Sequence, residues 1–115
     1  MFKKTYEHLK YSGFEVYSIG QHKGICENPY IVIKENGQSL IEGTSLTNDI
    51  IELLVYYPVG SYTKLDEYKK LLLNTMKQMT GFRRVIDPMP TIIDDDKKAY
   101  TTSYYYRKIK VKEGV

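Results

Sequence analysis

The spacing of apolar residues predicts the first elements of the chain. In residues 2–11 an aromatic or aliphatic side chain recurs every three to four positions, which predicts a short N-terminal helix that ends at Ser12-Gly13. Residues 14–19 alternate apolar and polar side chains and predict a strand. The following segment, GQHKGICENP, contains two glycines and a proline, so we expect a loop there.

The middle of the chain predicts a hairpin and a central strand. Residues 30–35 (YIVIKE) have strand propensity, and Asn36-Gly37 favours a type I′ turn into a return strand at residues 38–44. Residues 50–57 (IIELLVYY) are apolar on both alternating faces, which is typical of a strand in the middle of a covered sheet. A buried helix is the alternative, but the β-branched and aromatic content and Pro58 favour the strand.

Residues 63–79 predict the main helix. Thr63 is the expected N-cap, with Asp66 in the capping-box position, and Gly81 is the expected left-handed C-cap. The apolar residues form one stripe at helical spacing: Leu65, Tyr68, Leu72, Met76 and Met79. Leu73 lies among the polar residues instead, which indicates either a tolerated exposed leucine or a contact with another subunit.

The last third of the chain predicts two strands. Residues 82–86 favour a short strand, and the two prolines of DPMPT prevent its continuation. An acidic turn at residues 94–96 then precedes a long closing strand at residues 99–111. One face of this strand can pack, while the other carries lysines beside two tyrosines: Tyr104, Tyr106, Lys108, Lys110 and Lys112.

Together these elements predict an α+β fold in a single domain over residues 1–115. We expect a mixed, mostly antiparallel β-sheet of four to five strands, with a long helix and a short N-terminal helix packed against it. The composition agrees with a globular domain, since 42% of the residues are hydrophobic and 27% are charged. Twelve tyrosines suit half-buried strand faces or interfaces.

Charge, cysteine content and the N-terminal sequence limit the classes of function. A net charge of +3 is too small to indicate nucleic-acid binding by itself. Cys26 is the single cysteine, so no intramolecular disulfide forms, which fits a reducing compartment. The first residues lack the apolar stretch of a signal peptide, and no run is long enough to span a bilayer, so we expect a cytosolic protein.

No group of residues predicts catalysis, a cofactor or a metal. Asp94, Asp95 and Asp96 are consecutive in a turn, so we expect a solvated acidic turn rather than a paired acid and base or a calcium loop. His8 and His22 have no further ligand at zinc spacing and are expected at the surface. Nothing near Cys26 lowers its pKa, so the sequence does not indicate an enzyme.

The charges at the two ends of the closing strand allow three interpretations. The lysines at 108, 110 and 112 can track phosphates, or they can guard an edge strand against unwanted pairing. Alternatively, the acidic turn at 94–96 and this basic end mediate head-to-tail contacts between subunits, as in a ring.

The order of these features resembles the tail terminator (tail completion) proteins of tailed bacteriophages and related prophage elements. The resemblance is carried by NPYIVIKENGQ, by IIELLVYYP with the following SYTKLDEYKKLLLNTMKQM, and by IIDDDKKAYTTSYYYRKIK, and it covers residues 28–110. It implies a mixed sheet with packed helices. It also implies subunits that close into a ring, usually of about six, at the head-proximal end of the tail tube.

The resemblance also implies a function and partners. Such a ring stops tube polymerisation and offers a docking surface to the head–tail connector, so the expected partners are further copies of the chain, the tail tube protein and the connector. No membrane, cofactor, metal or specific nucleic acid is expected, and the expected location is the virion tail at the head–tail interface, after assembly in the host cytoplasm. The candidate subunit-interface residues are Leu73, Asp94, Asp95, Asp96, Tyr104, Tyr106, Lys108, Lys110 and Lys112. A head-closure or connector subunit and a small nucleic-acid-binding module are the alternatives.

Overall fold

A computed structural model describes residues 2–22, 24–40, 46–85 and 89–111 of the chain. The elements in chain order are α1 (Phe2–Tyr11), β1 (Val16–Ser18), β2 (Tyr30–Leu40), β3 (Leu46–Pro58), α2 (Tyr62–Lys77), β4 (Arg83–Arg84), β5 (Ile92–Asp94) and β6 (Ala99–Val111). In the part of the chain described, neither helix is long and apolar enough to cross a membrane.

The six strands form one mixed sheet in the order β1-β2-β3-β6-β4, with β5 also paired to β6. β1 runs parallel to β2, and the other pairs are antiparallel. β3 and β6 pair over their whole lengths, from Leu46 opposite Val111 to Pro58 opposite Ala99. This ladder is the centre of the sheet, so the prediction of a central strand at residues 50–57 is confirmed.

The main core lies between the helices and one face of the sheet. Alternate strand residues point to this helix-covered face, because side chains in a strand alternate between the two sides. Its fully buried members include Ile31 and Ile33 from β2, Ile51, Leu53 and Val55 from β3, and Leu9, Leu72 and Met76 from the helices. Burying one such side chain contributes about 1.5–3 kcal/mol, so this layer supplies most of the stability.

Local signals set the ends of the two helices. After α1, the Ser12 hydroxyl donates to the carbonyl of His8 (2.8 Å), and Gly13 takes a left-handed φ of 99° that a side chain would disfavour. The N-cap of α2 is Ser61, whose side-chain oxygen accepts from the backbone N–H of Lys64 at 3.3 Å. The predicted cap, Thr63, lies inside the helix instead. At the other end the C-cap is Gln78, so the predicted cap at Gly81 is also wrong.

The predicted fold class needs correction. Within the described residues the sheet has six strands rather than four to five, and α2 has 16 residues, about 24 Å, so it is not a long helix. The additional strand is β5, a three-residue piece with two exposed isoleucines that carries no periodic signal. Only residues 83 and 84 of the predicted strand at 82–86 form β4, and Ile86 lies outside the described residues.

Asn36-Gly37 does not form the predicted hairpin turn. β2 continues through these residues to Leu40, and the register against β3 shifts between Glu35 and Gln38, as in a β-bulge. The Asn-Gly pair therefore marks an irregularity within a continuous strand and not a turn between two strands. The predicted return strand at 38–44 therefore belongs in part to β2, and residues 41–44 lie outside the described residues.

The central strands are longer than the helices that cover them. A strand of 13 residues spans about 40 Å, whereas α2 spans about 24 Å. The domain is accordingly elongated, with extents of 49 × 26 × 25 Å and a radius of gyration of 15.1 Å, against about 13 Å for a compact chain of this length. We call the outer strand ends, residues 36–40, 46–50 and 107–111, the arm.

Candidate functional site

The arm offers two backbone edges for association. β1 pairs only with residues 31–33 of β2, so within the described residues no strand covers the outer edge of β2 from 36 to 40. On the opposite side, β4 pairs with Tyr106 and Arg107 of β6, and no described strand covers residues 108–111. Open edges present N–H and C=O groups that another chain can pair with.

A groove lies on the helix-covered face between α2 and the β4–β6 edge. Its floor is apolar and consists of Leu73, Met76, Phe82 and Tyr106. Its walls carry cations, namely Lys70, Lys77 and Arg84, and no acidic residue lines it in the described part of the chain. The cavity has a volume of about 540 Å³. We call it the basic groove.

Two further contacts place positive charge on aromatic rings around the basic groove. The Arg84 guanidinium lies 6.0 Å from the centroid of Tyr104, and the Lys108 ammonium lies 5.5 Å from that of Phe82. Burial raises the pKa of Tyr106 to about 12, so its hydroxyl remains neutral at physiological pH. Lys70 forms an ion pair with Asp66 at 3.1 Å on the exposed surface of α2, whereas Lys77 and Arg84 form no ion pair among the described residues.

The acidic turn forms the opposite end of β6, next to two exposed isoleucines. Ile92 and Ile93 are 59% and 54% exposed, although both lie in β5. Asp94 accepts a hydrogen bond from the backbone N–H of Lys97 at 3.1 Å, which closes the turn, while Asp95 and Asp96 are exposed. Residues 92–96 therefore combine apolar surface with carboxylates, and we call them the acidic tip.

The sequence-predicted interface residues fall into separate places. Leu73 and Tyr106 line the basic groove, but Tyr106 is only 5% exposed and belongs to the core, and Leu73 is half-buried against it. Tyr104 is also half-buried on the helix-covered face. The tyrosine-bearing face of β6 therefore packs against the core, whereas the sequence suggested that the opposite face packs.

The predicted lysine row is described only in part. Lys108 is half-buried beside Phe82, so it is not simply a solvated guard of an edge strand. The backbone of Lys110 lies in β6, but its side chain lies outside the described residues, as does the whole of Lys112. Asp94, Asp95 and Asp96 lie together in the acidic tip, at the end of β6 remote from these lysines.

The other face of the sheet carries an aromatic stack that sequence reasoning missed. The Tyr30 ring lies between His22 and Tyr56, with centroid distances of 4.0 and 4.8 Å. The Lys97 ammonium lies 5.6 Å from the Tyr56 centroid. His22 is thus a half-buried packing residue rather than a free surface histidine. His8 is also half-buried, since its Nε2 lies 2.9 Å from the carbonyl oxygen of Thr75 and links the two helices.

The described residues contain neither a reactive cysteine nor a metal-binding cluster. Cys26 is buried, its thiol lies 3.2 Å from the Asn28 carbonyl, and burial raises its pKa to about 11, which suppresses the reactive thiolate. In the described ranges, no group of three or more His, Cys, Asp or Glu side chains is arranged to hold a metal ion. The surfaces that remain are suited to association: the open edges, the basic groove and the acidic tip.

Comparison with known proteins adds no family to this description. No family model matches the chain, and no curated protein matches it significantly.

Proposed function

We propose that this chain is a structural subunit of a tailed-phage particle, a tail terminator. It assembles into a ring on the head-proximal end of the tail tube, stops tube polymerisation and presents a docking surface to the head connector. The observation that carries the proposal is the arm, whose strands have, among the described residues, one unpaired backbone edge on each side.

The two open edges suit a ring because they are different surfaces of the same sheet. The β2 edge at residues 36–40 faces away from the β6 edge at residues 108–111, with β3 between them. Pairing the β2 edge of one copy with the β6 edge of the next is a heterologous contact, and such contacts generate rings when the rotation between copies closes. The sheet then continues from subunit to subunit through main-chain hydrogen bonds.

The resemblance of residues 28–110 to tail terminator proteins, which rests on the sequence alone, supports this ring among the possible assemblies. A capping ring needs a stable small domain with strand edges that can pair with neighbouring subunits. It needs no catalytic activity. The described residues offer these features, while their one cysteine is buried and protonated at neutral pH.

The first experiment tests ring formation and tube capping together. The purified chain is mixed with isolated tail tubes, and tube ends are examined by negative-stain electron microscopy while the mass of the free protein is followed over concentration. We expect rings on one end of each tube and no further tube growth when tube subunits are added. Tubes that keep growing, with bare ends, contradict the proposal.

A second experiment tests which edges meet. Lys34→Cys introduces a thiol in β2 and Lys110→Cys introduces one in β6, and a short bis-maleimide reagent joins thiols that lie close together. In the ring, a mixture of the two variants cross-links between copies, whereas each variant alone does not. Lys64→Cys, on the exposed side of α2, is the matched control and gives no cross-link with either. Cross-linking of Lys34→Cys alone contradicts the heterologous contact.

A further inference from the structure

The basic groove and the acidic tip are complementary in two respects. The groove has an apolar floor walled by Lys70, Lys77 and Arg84. The tip presents Ile93 on the helix-covered side of the sheet and Ile92 on the other side, because the two are consecutive in β5, and both are more than half exposed beside the carboxylates of residues 94–96. Apolar surface meets apolar surface, and negative charge meets positive charge, which is the pattern that selects one partner and one orientation at an interface.

The charge of the tip is not cancelled within its own turn. The Lys97 ammonium lies over the Tyr56 ring, on the sheet face away from the helices. Lys98 has an exposed side chain and a left-handed φ of 51°, which ends the turn. Residues 94–98 contain three carboxylates and two ammonium groups, so the turn keeps a net charge of −1.

The groove and the tip of one chain cannot reach each other. β5 holds the tip in register with β6, with Ile92 opposite Thr101 and Ile93 opposite Tyr100. The groove begins at Tyr106 on the same strand. Five residues of extended strand separate Thr101 from Tyr106, a distance of roughly 17 Å that the paired sheet keeps fixed. Their complementarity can only be satisfied between copies.

We propose that two copies of this chain pair reciprocally, the acidic tip of each occupying the basic groove of the other. Both surfaces lie along the β6 side of the sheet, so a two-fold axis between them makes the contact twice. This dimer is distinct from the ring, because it uses neither the β2 edge at 36–40 nor main-chain pairing. Leu73 belongs to it, since the half-buried leucine forms part of the groove floor.

The test reverses the charges of each surface in turn and measures the mass of the protein in solution. Sedimentation velocity gives this mass from about 1 µM to about 1 mM protein. One variant reverses the tip (Asp95→Lys with Asp96→Lys), and another reverses the groove (Lys77→Glu with Arg84→Glu). All four side chains are exposed, so both variants are expected to fold, which circular dichroism checks. The wild-type chain is expected at twice its mass of 13.5 kDa.

Each variant alone is expected to dimerise roughly 100-fold more weakly, because like charges face each other in both contacts. An equimolar mixture of the two restores the dimer, since the reversed tip then fits the reversed groove and the native tip fits the native groove. Lys64→Glu and Glu67→Lys, which change equally exposed charges of α2 outside the groove, are the matched controls and leave the dimer intact.

Three results would overturn the reciprocal dimer: a wild-type chain that stays monomeric up to about 1 mM, a mass that neither reversal changes, or a mixture that fails to restore the complex. If the wild-type chain forms larger species, the same reversals must still reduce their mass. A chain that caps tail tubes without responding to the reversals refutes the dimer and leaves the ring. A dimer that never binds tubes refutes the ring and leaves the dimer.

Discussion

The body of the domain and its arm are built from the same three long strands, but they differ in what lies against those strands. In the body, side chains such as Leu53 and Ile31 are 0% exposed beneath the helices. In the arm, Asn36 and Arg107 are exposed while Asp49 is buried, and the 13-residue strands are longer than the 16-residue α2. Burial stabilises the body, whereas the arm keeps backbone hydrogen-bonding groups accessible. In the proposed ring, one part of each long strand stabilises the fold and another part contacts the neighbouring subunit.

The largest expected effect is in the body. Leu53→Ala removes a fully buried side chain from the central strand, and we expect a loss of about 3 kcal/mol in the free energy of unfolding. Urea denaturation monitored by circular dichroism measures it. Tyr11→Ala, at a side chain that is 96% exposed, is the control and shifts the value by less than about 0.5 kcal/mol. If Leu53→Ala and Tyr11→Ala reduced the free energy of unfolding equally, the distinction between body and surface would be wrong.

Alkaline pH is the next test, because it acts on tyrosines of the body. Burial raises the pKa of Tyr30, Tyr68 and Tyr106 above the ordinary value of 10.0. A raised pKa means that the folded state keeps a proton that the unfolded state has lost. The stabilisation is complete below about pH 10 and is lost as the pH rises through the folded-state values. We expect the free energy of unfolding to fall steadily above pH 10, as measured by urea titrations at increasing pH.

Tyr68→Phe sharpens the alkaline test. The buried Tyr68 hydroxyl has no hydrogen-bond partner among the described residues, and its ring packs on Phe14 and Tyr57. Removing the hydroxyl keeps the ring contacts, so stability at neutral pH is expected to stay the same or rise. The fall in the free energy of unfolding above pH 10 becomes smaller by the amount that Tyr68 contributes to it. An unchanged alkaline profile would show that Tyr68 does not contribute to it.

A smaller effect is expected at the start of α2. Ser61→Ala removes the side chain that accepts from the backbone N–H of Lys64, and we expect a loss of about 1 kcal/mol. Thr63→Ala is the matched control, because Thr63 lies within the helix and does not cap it. Its substitution changes the free energy of unfolding by less than about 0.5 kcal/mol. A larger loss in the free energy of unfolding for Thr63→Ala than for Ser61→Ala would indicate that Thr63 is the N-cap.

The smallest effect is expected in the arm. Arg107→Ala alters an exposed side chain at the base of the arm, where β4 pairs with β6, and should change the free energy of unfolding by less than about 0.5 kcal/mol. Urea denaturation of the monomeric fraction measures this change, with Leu53→Ala measured in parallel for comparison. A loss approaching that of Leu53→Ala would mean that the arm contributes to the core.

Strong periodicity predicted the elements that carry the core. The bounds of α1 and β6 agree with the sequence prediction, and the central strand at 50–57 lies within β3, because long apolar patterns reflect burial directly. The sequence did not predict the short strand β5, because a short element has no long apolar pattern. β5 has three residues whose isoleucines are exposed, and its pairing with β6 depends on the tertiary fold rather than on local sequence.

The candidate site was predictable only in its parts. The sequence singled out Leu73 and the carboxylates of residues 94–96, which now lie in the basic groove and the acidic tip. It did not indicate Lys77, Arg84 or Phe82, because the groove forms where α2 meets a two-residue strand distant in sequence. The stack of His22 on Tyr30 was missed for the same reason, since rings from a loop and a strand meet only after folding.

The long ladder between β3 and β6 has a consequence for the order of folding. Its paired residues lie about 40 to 65 positions apart in the chain, so closing the ladder costs loop entropy before any contact compensates for it. We expect folding in milliseconds to seconds rather than microseconds. β6 also follows β3 by about 40 residues, so during synthesis one backbone edge of β3 stays unpaired until β6 has emerged from the ribosome, and a chaperone can bind the apolar side chains of β3 at that stage.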